Sequence, residues 1–233
     1  MADVLVIGIY LAGRPNTAIE TASELRASRR HHVTIRWAGL TENAQDSAAL
    51  PATALVVPAP MPRCSLLNRL LGGFESFDWV VVVDDDVELP PGFLDAALSL
   101  AERHDLALCQ PARTADSFSD HPIVTCQPGL SARQTRFVEI GPCVLMRRDA
   151  AASLLPFEEA AGMGWGLDFV WPAIMDARGL RMGILDAVPI AHRLRRPVSG
   201  YSWATADEEM RRTLARHAHL PPEQAFSVLD AWP

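Results

Sequence analysis

The chain has 233 residues, 49% of them hydrophobic and 21% charged, enough to bury one substantial core in a single large domain. Its formal charge of −7 argues against general nucleic-acid binding, because neutralising a phosphate backbone needs a basic face. Cys64, Cys109, Cys126 and Cys143 show no paired spacing, which fits reduced thiols in a cytoplasmic protein better than a disulfide frame or a zinc site.

Taken in order, Val4 to Tyr10 (VLVIGIY) predicts a buried first strand, read as a strand and not a leader because no basic segment precedes it. A Gly-Arg-Pro-Asn loop follows. Thr17 and Glu20 stand at capping-box spacing ahead of a helix that runs to about Arg29. Val33 to Trp37 predicts a second strand, Thr41 to Ala48 a polar and weakly structured stretch, and Ala54 to Val57 a short third strand. Ser65 to Leu71 reads as a helix, Trp79 onward as a strand, and Pro91 to Glu102 as a helix with proline at its start. Strands alternating with helices predict a doubly wound, mostly parallel α/β sheet, Rossmann-like in its winding.

The second half is less regular. Leu106 to Gln110 predicts a strand and Pro111 to Gly129 a loop. Arg136 to Ile140 and Cys143 to Met146 predict strands around Gly141-Pro142, with a short helix from Arg148 to Leu155. Asp168 to Arg178 reads as a helix capped by Gly179, and Met182 to Ala191 as a strand. Ala206 to His217 and Glu223 to Leu229 predict two amphipathic helices. The expected organisation is therefore one domain over residues 1–203 and a helical extension, 204–233, packed on it. No stretch approaches the ~20 apolar residues of a membrane span.

The stretch with chemistry in it is Trp79 to Pro91, WVVVVDDDVELPP. Four valines in a row describe a strand buried on both faces, and ligands of open α/β sheets bind at the carboxyl ends of such strands. In an extended chain Asp84 and Asp86 project together while Asp85 points the other way. Two carboxylates on one side make a hard oxygen site for Mg²⁺ or Mn²⁺. The plain alternative is a solvated acidic turn that ends the strand.

Arg63 to Leu94, RCSLLNRLLGGFESFDWVVVVDDDVELPPGFL, resembles the central segment of family 2 glycosyltransferases, which have the A-type nucleotide-sugar transferase fold. Glu139 to Asp149, EIGPCVLMRRD, is similar to that family's acceptor segment, and Phe157 to Asp168, FEEAAGMGWGLD, to its Gly-Trp-Gly-Glu-Asp region. Together they cover about half the chain in the family's order.

The resemblance implies metal-dependent transfer of one sugar from a nucleotide-diphosphate sugar to an acceptor hydroxyl, with inversion. It implies a cation, Mn²⁺ or Mg²⁺, on Asp84 and Asp86 with His192 as third ligand, and donor contacts from Asp84, Asp85 and Arg63. Asp168 is implied as the general base, with Glu158 and Glu159 as the next acids in line. Arg195 and Arg196, in a basic cluster with Arg193, would grip the diphosphate, since guanidinium forks match phosphate oxygens. Trp165, between two glycines, offers a wall for a sugar ring. The acceptor is open: a small molecule, a glycan or a peptide. Each role has a structural counterpart: Asp168 as a helix cap, His192 as a packed histidine, the arginines as a solvated loop, Trp165 as core.

The chain departs from the pattern at Leu167, where the family has Glu, and after the second strand, where Glu42 or Asp46 stands in for an Asp that reads the base. The Gln-X-X-Arg-Trp signature of polymerising synthases is absent. A sugar-nucleotide pyrophosphorylase is disfavoured because GIYLAGR, residues 8–14, is not its Gly-rich loop, and a degenerate transferase acting as a binding module remains the alternative from another class.

Overall fold

The fold was analysed on a computed structural model, which describes residues 1–42, 49–196, 198 and 201–233. Strand β1 (Asp3–Leu11) lies between β2 (His32–Thr41) and β4 (Trp79–Asp84), and β3 (Thr53–Pro58) pairs with β2 at the edge, all parallel. β8 (Cys143–Arg147) runs antiparallel between β4 and β6 (Leu106–Arg113). β9 (Arg181–His192) is parallel to β6, and β7 (Ala132–Thr135) is antiparallel to β9. The order is β10-β7-β9-β6-β8-β4-β1-β2-β3, with β10 (Val228–Trp232) at the far edge and the two-residue β5 (Val87–Glu88) paired to the end of β9. Apart from β5, every described strand except β7 and β8 points the same way, so the sheet is mostly parallel as predicted.

The valine run explains the layering. Val81 and Val83 pack with Val4, Val6 and Trp37 against α1 (Ala18–Arg26) and α3 (Phe93–Arg103). Val80 and Val82 pack with Leu5 and Ile7 against α2 (Arg63–Asn68), α4 (Arg148–Leu154) and α5 (Leu167–Arg178). Each valine buried this way contributes roughly 1.5–3 kcal/mol of transfer free energy. Gly8 lets β1 sit this close to its neighbours: a Cβ there would lie 2.3 Å from both the Trp37 ring and the Val83 carbonyl.

Four local expectations are corrected. Thr17 precedes α1 but makes no cap; its hydroxyl donates to the Val87 carbonyl at 2.7 Å, tying the helix to the carboxylate turn. The α3 helix begins at Phe93 after Gly92, whose amide donates to Glu24 of α1. Arg136 to Ile140 is not a strand: the Glu139 amide is taken by the Gln110 side chain at 2.6 Å and the Phe137 carbonyl by Thr135, so side chains replace ladder bonds and the strand lies earlier, at β7. The last predicted helix is one turn, α7 (Pro222–Ala225), and the chain then forms β10 against β7, with Trp232 stacked on His104. The preceding tail helix, α6 (Trp203–Arg216), is present and packs on α5. Among the described residues no helix is long and apolar enough to cross a membrane.

Candidate active site

Strand β4 ends at Asp84, and Asp85 and Asp86 form a turn before β5. Side-chain alternation therefore stops at Asp84, and the expectation that Asp84 and Asp86 share one side is corrected. Asp84 turns to α2, where the buried Arg63 guanidinium donates to its Oδ1 at 2.8 Å and also approaches the Ile140 carbonyl. Asp85 is buried; it accepts from the Leu11 amide at 2.8 Å and from Arg195. Burial pushes its carboxyl up to about 6 against the pull of Arg195. Asp86 meets His192, at the end of β9, with 3.2 Å between Oδ2 and Nε2, and the Arg195 Nε lies 3.3 Å from the same oxygen. Burial works against the Asp86 charge, but the hydrogen bond and charge of His192, with Arg195 and Arg113, hold its carboxyl below the usual range.

The arrangement fits a divalent cation on Asp86 and His192. A hard oxygen beside an imidazole suits Mn²⁺ or Mg²⁺ that draws its remaining ligands from phosphate and water. Arg195 bridges the Asp85 and Asp86 carboxylates. Among the described residues no three His, Cys, Asp or Glu side chains gather as a ligand set, and Asp84, held by Arg63, stands apart from the pair. Arg113 donates to His192 Nδ1 at 3.2 Å, which leaves Nε2 to face Asp86.

Asp168 lies in the first turn of α5 and is 6% exposed; its Oδ1 is buried without a hydrogen-bond partner. Burial pushes its carboxyl up to about 7, and Glu139 adds to the rise while His121 opposes it. Its neighbours lead back to the carboxylate turn. His121 Nδ1 is 2.9 Å from Glu139, Glu139 is paired with the buried Arg113, and Arg113 reaches His192. Arg113, Glu139 and His121 were not assigned roles from sequence. Arg113 falls in what reads as the start of a loop, and Glu139 belongs to the EIGPC segment, the one signal that marked the region.

Of the basic cluster, Arg195 reaches Asp85, Asp86 and the Pro15 carbonyl. Arg196 is exposed and lies over the Phe118 ring, 5.1 Å from its centre. Arg193 pairs with Glu88 and Asp116 on the surface. Trp165 donates its indole N–H to Tyr201 at 2.6 Å and packs edge-on against Trp203. Leu167 packs into the core. Glu158 binds Arg216 and His217, and Glu159 is exposed. Glu42 is exposed and paired with Arg14, while Asp46 lies outside the described residues.

No protein-family model and no characterised protein matches the sequence. Solved structures do match the fold. GalNAc-T7 with UDP, GalNAc and Mn²⁺ aligns with a TM-score of 0.63 at 10% identity, covering 90% of this chain and 48% of that one. Residues 1–349 of S. aureus TarS in complex with UDP align at 0.52 and 12% identity, covering 93% and 72%, and the UDP-GlcNAc complex at 0.51. Both proteins are A-type glycosyltransferases. This chain has the A-type glycosyltransferase fold. It spans about half the length of GalNAc-T7, so the match concerns the fold of one region of that protein. Within this fold the carboxylate turn occupies the carboxyl end of a central strand, the sheet edge where ligands of open α/β folds bind.

Proposed function

We propose that the protein is a glycosyltransferase that moves one sugar from a nucleotide-diphosphate sugar to an acceptor hydroxyl, with inversion. The observation that carries this reading is the division of labour among its carboxylates. Asp84, Asp85 and Asp86 sit at the end of β4 in reach of Arg63, Arg195 and His192, while Asp168 is buried at the start of α5 with its Oδ1 lacking a hydrogen-bond partner among the described residues. The matched structures carry UDP or UDP-GlcNAc in the same fold.

On this reading Asp86 and His192 would hold a divalent cation, while Asp84 orients Arg63. That cation, when bound, supplies positive charge to the departing diphosphate. Arg63, Arg195 and Arg196 add guanidinium donors for phosphate oxygens, and Asp85 fixes Arg195 and the end of β1. Trp165 walls the sugar. Asp168 takes the proton from the acceptor hydroxyl as its oxygen bonds to the anomeric carbon and the bond to the diphosphate oxygen breaks. Its elevated pKa near neutrality matches a base that must gain a proton in one step and release it in the next. The acceptor class, small molecule, glycan or peptide, is not selected by these residues.

The test is a screen of UDP-, GDP- and dTDP-sugars with Mn²⁺ or Mg²⁺, following nucleotide release. Metal-stimulated release from one donor, increased by an acceptor, is the expected result. Tight nucleotide binding without turnover on any donor would favour the binding module.

A further inference from the structure

Helix α6 buries an unusual face. Its buried residues are Ala206, Glu209 and Thr213, and Glu209 is only 7% exposed. A helix that merely covers a core presents apolar side chains there, and a buried carboxylate is costly unless hydrogen-bonded. Glu209 is bonded, and among the described residues its partners are backbone amides. Its Oε1 accepts three consecutive backbone amides: Met163 at 2.8 Å, Gly164 at 2.9 Å and Trp165 at 3.1 Å. Three amides converging on one oxygen form an anion nest, here filled by the chain's own carboxylate.

The loop that makes this nest has an irregular backbone, held in part by its own turn hydrogen bonds such as Gly164 N–H to the Ala161 carbonyl at 2.7 Å. Gly162, Gly164 and Gly166 all have positive φ (60°, 102° and 93°), a conformation outside any regular ladder. Gly162 is also a spatial requirement, since a Cβ there would lie 2.3 Å from Glu209 Oε2. The loop meets both halves of the site. The Gly162 carbonyl accepts from the Cys64 amide at 2.9 Å, next to the Arg63 that holds Asp84. In the other direction Trp165 and Gly166 lead into α5 and Asp168.

We infer that Glu209 is a positioning residue for glycosyl transfer: it sets the 162–166 loop, and through it Trp165 and Asp168, relative to the donor carboxylates. This rests on the transferase reading above. It makes the tail helix part of the active site and not an appended cover.

The experiment uses the full-length protein, the donor found in the screen, and calorimetry with UDP and Mn²⁺. Glu209→Ala is expected to lower kcat about 10–100-fold, the scale of a small misplacement of reacting groups, with donor KM and UDP affinity within about threefold of the parent. Glu209→Gln keeps an acceptor oxygen and should lie between. Acetate, filling the vacated nest, should restore part of the Glu209→Ala rate without affecting the parent. Gly162→Ala should reproduce the loss and add little to Glu209→Ala, since both displace the same contact. Unchanged kcat in Glu209→Gln and Glu209→Ala would overturn the inference, as would loss of UDP binding in step with kcat, or the absence of any acetate effect. If the parent binds UDP but consumes no donor, the transferase reading falls, and this inference with it.

Discussion

Two kinds of carboxylate lie in this site: those at the end of β4 face guanidinium groups and, among the described residues, Asp168 at the start of α5 does not. At the end of β4 each aspartate faces a guanidinium: Arg63 for Asp84 and Arg195 for Asp85 and Asp86, with His192 also hydrogen-bonded to Asp86. At the start of α5, Asp168 is buried and has no ion-pair partner among the described residues; His121 and backbone amides of its own helix turn oppose the rise that burial and Glu139 impose on its carboxyl. Carboxylates paired with guanidinium groups arrange positive charge, the property needed to bind an anionic donor. An unpaired buried carboxylate titrates near neutral pH, the property needed to move protons. The account assigns binding to the first set and chemistry to the second, and mutation should separate them.

The largest effect is expected at Asp86. Asp86→Ala should remove metal-dependent nucleotide binding while the fold, judged by thermal melting, stays intact. If calorimetry finds the parent affinity in the variant, the cation lies elsewhere. Asp168→Asn is expected to lower kcat by about 10²–10⁴-fold with donor affinity unchanged, the signature of lost proton transfer without lost binding. Transfer at the parent rate would move the base to another group. His192→Ala should weaken metal-dependent affinity by roughly 10–100-fold, less than Asp86→Ala, because water can take the place of a neutral ligand.

The smallest effects concern pH. Because the Asp168 carboxyl is active as a base only when ionised, the rate should rise with pH through about 7. The same shift has a stability sign. A carboxyl whose folded pKa is raised above its unfolded value costs stability as pH climbs from the unfolded pKa, about 4, to the folded one. Asp168→Asn should therefore melt higher than the parent at pH 8 and nearly with it at pH 4. A parent-like melting temperature at both pH values would mean that Asp168 is not held in that environment.

The same division shows in what the sequence made legible. The donor half is local: four valines, three aspartates and the Pro-Gly-Phe start of the next helix lie within one continuous segment, and β1 to β4 follow the predicted alternation. Asp86 and His192, far apart in sequence, lie 3.2 Å apart. The acceptor half is assembled from distant pieces. Arg113 and His121 fall in a stretch predicted as a loop, although Arg113 ends β6, and Glu139 falls in a predicted strand where a side-chain hydrogen bond from Gln110 replaces the ladder. Glu209 belongs to a helix whose polar positions read as a solvent face, and only the packing of α6 against the glycine loop reveals its partners. The tail strand β10 was missed for a related reason: its pairing strand, β7, lies at the far edge of the sheet and its own residues carry no alternation strong enough to outweigh the helical spacing.

The central claim is that the carboxylate turn after β4 holds a nucleotide diphosphate through a divalent cation. Calorimetric titration of UDP into the parent protein, with and without Mn²⁺, tests it most directly. The account predicts saturable binding that requires Mn²⁺ and disappears in Asp86→Ala. Binding of equal strength without the metal, or retained in Asp86→Ala, would contradict it.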